Sequence, residues 1–146
     1  MLRTLASRLD TLRDLGLLLI RVGVGLSFML HGWPKLVGGP QRWERTGRAM
    51  AELGVDFAPQ FWGFMAGFAE FGGGLALALG LATRPALLML AFTMIVAATK
   101  HIGAGDGFGG WSHAVEAGIT FVGLLLVGPG RFSLDHRLFD RAKTRR

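Results

Sequence analysis

Four long apolar blocks, interrupted inside by very few charges, constrain this chain more than any other feature. They run from Leu15 to Trp33, Phe57 to Leu81, Thr83 to Thr99 and Trp111 to Val127. Each approaches the roughly 20 residues that an α-helix needs to cross a hydrocarbon core. The third is the shortest, which leaves a re-entrant or tilted element as an alternative to a full span. Half the chain is apolar (51%) and only 18% is charged, too little polar surface for a soluble domain of 146 residues. The expected fold is all-α: an integral membrane four-helix bundle in which residues 1–146 form one domain. The first block is expected to stay as a span. Arg21 interrupts it, and no small-residue cleavage site follows before His31-Gly32-Trp33-Pro34-Lys35.

The 16 Lys and Arg outnumber the 10 Asp and Glu, but the basic residues lie between and beyond the apolar blocks. That distribution excludes a nucleic-acid stripe. With four spans, one side carries Arg3, Arg8, Arg13, Arg84, Arg131, Arg137, Arg141, Lys143, Arg145 and Arg146. The other carries Lys35, Arg42, Arg45, Arg48 and Lys100. The excess places both termini in the cytoplasm. Trp33, Trp43, Trp62 and Trp111 all fall near the opposite, outer face. There the longest loop holds a short helix over Gln41–Leu53, ended by Gly54. Trp43, Met50 and Leu53 give it one apolar stripe, and it reads either as an interfacial lid or as an ordinary connector. Short interfacial helices are expected at both termini as well, facing lipid headgroups. Leu2, Leu5, Leu9 and Leu12 form one apolar side. Ser133 caps the other helix, with Leu134, Leu138 and Phe139 on one face.

Three ionisable residues lie inside the spans: Arg21, Glu70 and Glu116. One charge at bilayer centre costs about 2.5–3.5 kcal/mol on insertion scales, so the three are expected to turn inward and pair. Gly63, Gly67, Glu70 and Gly74 share a face of the second helix, and His113, Glu116, Thr120 and Gly123 share a face of the fourth. Measured from the cytoplasmic boundary at about 1.5 Å per residue, Arg21 is ~10 Å deep, Glu70 ~15 Å and Glu116 ~18 Å. These depths pair Arg21 with Glu70. Glu116 is left to meet His113, or His31, Lys35, Lys100 and His101 nearer the outer mouth. The set reads either as a structural clasp or as a polar cavity for a proton, a small polar ligand or a quinone headgroup.

The histidines and Glu116 match no tight ligand spacing, so no metal site is expected. The glycine-rich stretch from Gly103 to Gly110 lacks the ending of a phosphate loop and reads as a turn above the cavity. The absence of cysteine removes thiolate chemistry and covalent haem attachment. Gly63-x-x-x-Gly67 serves packing within a bundle or between subunits, which leaves a homo-oligomer open.

The ordered set of motifs resembles the DoxX family of small bacterial four-helix membrane proteins. The resemblance runs through Arg21-Val-Gly-Val-Gly-Leu-Ser-Phe28, His31-Gly-Trp-Pro-Lys35, Glu70-Phe-Gly-Gly-Gly74 with Gly80, Glu116, and Gly128-Pro-Gly-Arg-Phe-Ser-Leu-Asp135. It implies a bacterial inner-membrane location and a role in a redox system. Some relatives, the DoxD proteins, are linked to thiosulfate oxidation with quinone as acceptor. On that picture Arg21, Glu70 and Glu116 hold or relay protons, while His31, Lys35, Lys100, His101 and His113 attract a quinone or a small oxyanion. The protein would then be a quinone-linked oxidoreductase subunit working with a redox partner protein. Distant relatives acting as cargo receptors or assembly chaperones imply the alternative, a non-enzymatic chaperone, scaffold or carrier.

Overall fold

The computed structural model describes the backbone of residues 2–143 and the side chains of residues 8–138. Six α-helices follow in order: α1 (Leu2–Leu36), α2 (Gly39–Gly47), α3 (Pro59–Leu79), α4 (Thr83–Gly103), α5 (Phe108–Val127) and α6 (Leu134–Lys143). A 3-10 segment (Arg48–Leu53) continues α2. Among the described residues there is no strand. Helices α1, α3, α4 and α5 are long and apolar enough to cross a membrane. They form an all-α membrane bundle with α2 at one end and α6 at the other.

Two expectations are corrected. The N-terminal interfacial helix is not separate, because α1 runs unbroken for 35 residues. At 1.5 Å per residue that is about 52 Å, well beyond the ~30 Å core. Leu9 and Leu12 are exposed along it; the side chains of Leu2 and Leu5, like that of Phe139 in α6, lie outside the described residues. The third span is a full helix of 21 residues, neither short nor re-entrant. Lys100 and His101 end its apolar run in the last turn, and the helix itself ends at Gly103.

Glycine sets the closeness of α1 and α3. A Cβ on Gly25 would lie 2.6 Å from the Gly74 carbonyl oxygen, and one on Gly74 would lie 2.6 Å from the Gly25 carbonyl oxygen. Gly32 abuts the backbone of Phe71, and Gly67 faces Leu36. Without a hydrophobic driving force between helices in lipid, such backbone approach supplies the dispersion contact that joins them. The apolar core lies mainly between α3, α4 and α5, around Leu77, Leu87, Leu90, Met94, Phe121 and Leu124. The outer faces carry exposed Leu19, Leu30, Leu88 and Leu126, which suits a solvent of acyl chains.

The expected loop helix is present and ends where Gly54 takes the left-handed conformation, at φ 77°. Trp43 donates its indole N–H to the carbonyls of Lys35 (2.9 Å) and Leu36 (3.2 Å). Those carbonyls end α1 and lack helical partners, so the indole ties α2 to α1. Gly63 packs on the Trp43 backbone and Gly47 on Pro59, which seats α2 across the start of α3. Of the apolar stripe, Met50 is buried, Trp43 is half-buried and Leu53 is exposed.

Candidate functional site

At the α2 end, a cavity of about 590 Å³ opens between α3 and α4 beneath α2 and the 3-10 segment. Its walls follow helical spacing on both sides: Trp62, Met65, Ala66, Ala69 and Glu70 from α3, and Met89, Phe92, Thr93, Val96 and Lys100 from α4. Arg42, Arg45 and His101 complete the rim. Gly73 packs on Leu90, which sets Glu70 level with Phe92 and Thr93, near the cavity floor. Lys100 is eight residues from Phe92, so the floor lies about 12 Å below the rim. The lining is therefore cationic toward the α2 end, thioether and aromatic along α3 and α4, and carries the Lys35–Glu70 ion pair deeper in.

That pair joins Lys35 to Glu70. Lys35 Nζ donates to Glu70 Oε1 at 2.6 Å, with side chains 32% and 3% exposed respectively. Among the described residues, Glu70 Oε2 is buried and finds no hydrogen-bond partner, and neither does the buried indole N–H of Trp62. Buried polar atoms without partners are uncommon in folded proteins and mark places where a ligand or ordered water completes the bonding. Lys35 retains two further N–H donors beyond the one given to Glu70. At the rim, His101 Nδ1 lies 2.6 Å from Asp106 Oδ2, so the glycine-rich turn after α4 holds the imidazole in place. On the roof, Arg48 binds Glu44 at 2.6 Å and holds that exposed carboxyl below its usual range.

The structure separates residues that depth alone placed together. Arg21 does not meet Glu70. It is 1% exposed and donates to the carbonyls of Phe132 (2.7 Å) and Leu77 (3.3 Å) at the α6 end. The glycine seam is the reason. With Gly25 on Gly74 and Gly32 on Glu70, Arg21 falls opposite Leu77, and the residue that reaches Glu70 is Lys35. Arg21 instead anchors the segment that follows α5. There Ser133 accepts the His136 N–H (3.1 Å), the expected cap, and Asp135 accepts the N–H groups of Ala82 and Thr83, both at 2.8 Å. Burial pushes the Asp135 carboxyl up, but the two backbone donors and Arg21 outweigh it and hold it below the usual carboxylate range. A second cavity of about 1000 Å³ lies at this end, lined by Arg13, Arg84, Arg131 and the acids Asp10, Asp14 and Asp135. Two of those acids already bind backbone: Asp135 as above, and Asp14 through the Arg131 N–H.

Glu116 does not turn inward. Ala114, Phe121 and Leu124 take the buried face of α5. Glu116 is two residues, about 200°, from Ala114, so it projects outward with His113 and Thr120. His31 joins this outer side, its ring 6.1 Å from that of His113. Of the eight sequence-predicted residues, Lys35, Glu70, Lys100 and His101 thus share the cavity. His31, His113 and Glu116 lie on another face, and Arg21 at the far end. Among the described residues, no group of three metal-ligating side chains converges. Sequence reasoning missed Trp62, Met65, Met89, Phe92, Arg42 and Arg45. The signal was the i, i+3/i+4 recurrence of Trp62, Met65, Ala66 and Ala69 leading to Glu70 on one helix face.

Known membrane proteins are similar to the chain in sequence. The chain is 32% identical over 130 residues to the inner membrane protein YqjF of Escherichia coli K12, covering 87% of this chain and 95% of the relative. It is 33% identical over 134 residues to the Escherichia coli inner membrane protein YphA, covering 86% and 91%. It is also 34% identical over 141 residues to the uncharacterized membrane protein Rv3486 of Mycobacterium tuberculosis, covering 84% and 81%. No solved structure matches the chain. The DoxX family profile matches residues 16–102, which contain α3, α4 except for its last residue, and the Lys35–Glu70 pair; the chain belongs to the DoxX family.

Proposed function

We propose that the α2-end cavity binds a small quinone, and that the protein is a membrane-embedded component of a quinone-linked redox system. One observation carries this reading: Glu70, which lines an aromatic and thioether-walled cavity, keeps one carboxylate oxygen on Lys35 and leaves the second buried and unbonded. These residues fit a planar amphiphile with a carbonyl at one end. Lys35 donates to that carbonyl, Glu70 holds the proton exchanged beside it, and Trp62, Phe92 and Met65 exclude water around the ring. A bound quinone supplies the capacity to take up two electrons with two protons, the electrons coming from a redox partner protein. The rim cations Arg42, Arg45 and Lys100 favour small oxyanions such as thiosulfate at the mouth. Two relatives are named inner membrane proteins. This supports a multi-pass bacterial inner-membrane location, and the basic excess at the α6 end supports cytoplasmic termini.

The test is binding in lipid nanodiscs. A short-chain ubiquinone titrated into the protein should quench tryptophan fluorescence saturably, with the signal reduced in Trp62→Phe. Glu70→Gln should weaken binding at least about tenfold while far-UV circular dichroism stays unchanged. Non-saturable quenching, or equal affinity in Glu70→Gln, would refute the quinone site.

A further inference from the structure

The outer seam between α1 and α5 is used by nothing in the cavity. The two helices meet there through Phe28 and Phe121, with ring centroids 4.8 Å apart, and through His31 and His113 at 6.1 Å. Outward from those contacts, His113, Glu116, Thr120 and Gly123 fall within a sector of about 80° on α5, and all four are exposed. The Glu116 carboxylate sits about 12 Å from the start of a 20-residue span, near mid-membrane. Among the described residues it makes no hydrogen bond or ion pair; the Thr120 hydroxyl donates instead to the Glu116 backbone carbonyl, at 2.9 Å. A Cβ on Gly123 would meet nothing within 4 Å.

We infer that a second copy of this chain covers the α1–α5 face, placing Glu116 of each copy against the His113 and His31 side chains of the other. The face is self-complementary in hydrogen bonding: a carboxylate acceptor and two imidazole donors lie within about one turn in depth. A two-fold axis along the membrane normal brings groups of similar depth together, so the acid-to-imidazole contact forms twice. Thr120 and Gly123 are small and leave room for the helices to approach closely. A lipid tail offers no partner to the carboxylate, which is why acyl chains are the poorer occupant of this stripe.

The chain has no cysteine, so an introduced one reports its own neighbourhood. Thr120→Cys protein in liposomes at a high lipid-to-protein ratio should form disulfide dimers on oxidation. The yield should be at least about tenfold above that of Leu88→Cys, an exposed position on α4. Glu116→Ala in the Thr120→Cys background should lower the yield about tenfold with unchanged circular dichroism. Light scattering of the unmodified protein in mild detergent should give twice the monomer mass. Equal yields at Thr120→Cys and Leu88→Cys would overturn the inference. So would a monomeric mass, insensitivity to Glu116→Ala, or photocrosslinking from position 120 to a different protein.

Discussion

Lys35 Nζ lies 2.6 Å from Glu70 Oε1, an ion pair made between the last turn of α1 and the middle of α3. Opposite charges drawn together in a medium of low dielectric hold those two helices in one register. They also leave the second carboxylate oxygen of Glu70, a cavity-lining residue, buried and unbonded.

Breaking the pair from one side should be expensive. Lys35→Met leaves the buried Glu70 carboxylate without its counter-charge, and a loss of about 3–5 kcal/mol is expected. Lys35→Met combined with Glu70→Leu should recover most of that loss, because no buried charge remains. Unfolding midpoints in a detergent titration check both. An unchanged midpoint in Lys35→Met would sink the claim that the pair stabilises the α1–α3 contact.

The glycine seam makes a sharper contrast. Gly32→Ala forces a methyl group into the backbone of Phe71 and should destabilise by about 1–3 kcal/mol. Gly23→Ala, where nothing lies within 4 Å, should be neutral or stabilise by roughly 0.5–1 kcal/mol through helix propensity. The same titration compares the two. Equal effects would mean that α1 and α3 are not in backbone contact.

Arg21 should act on α6 rather than on the cavity. Arg21→Leu leaves the Phe132 carbonyl without its Arg21 donor and the Leu77 carbonyl with the Gly80 N–H alone, costing on the order of 1–3 kcal/mol. Hydrogen exchange should accelerate over residues 131–138 and stay unchanged at Glu70 and its neighbours. Quinone affinity equal to that of the unsubstituted protein is the companion result.

Acid should release the same segment. The Asp135 carboxyl is held below its ordinary value of 3.8. Its contribution to stability is therefore complete above that value and is lost as pH falls through the lower, folded-state value. Exchange of the Ala82 and Thr83 amides should rise on acidification through that window. Asp135→Asn should flatten the pH dependence and cost about 0.5–2 kcal/mol at neutral pH, as loss of a helix cap does. A pH profile unchanged by Asp135→Asn would remove Asp135 as its source.

Patterns internal to one segment were legible without coordinates. Apolar run length marked the four spans. Gly54 marked the end of the loop helix, and Ser133 marked the cap of α6. The ordered motifs, from Arg21 through Asp135, carried the family. Each follows from local geometry: rise per residue, helical period, and the conformations that glycine and serine favour at helix ends.

Relations between helices were not legible, and they decide the site. Depth placed Arg21 beside Glu70, but depth is one coordinate, and the contact needs register and rotation as well. The close backbone contacts of Gly25 with Gly74 and Gly32 with Phe71 slid α1 along α3 until Lys35 reached the glutamate. Rotation of α5 was decided by its larger apolar side, Phe121 and Leu124, packing inward, and that turned Glu116 to the outside. The sequence by itself determined which residues carry charge into the membrane. Only the packing of whole helix faces decided that Glu70 is buried with a partner, that Arg21 binds carbonyls, and that Glu116 is on the surface.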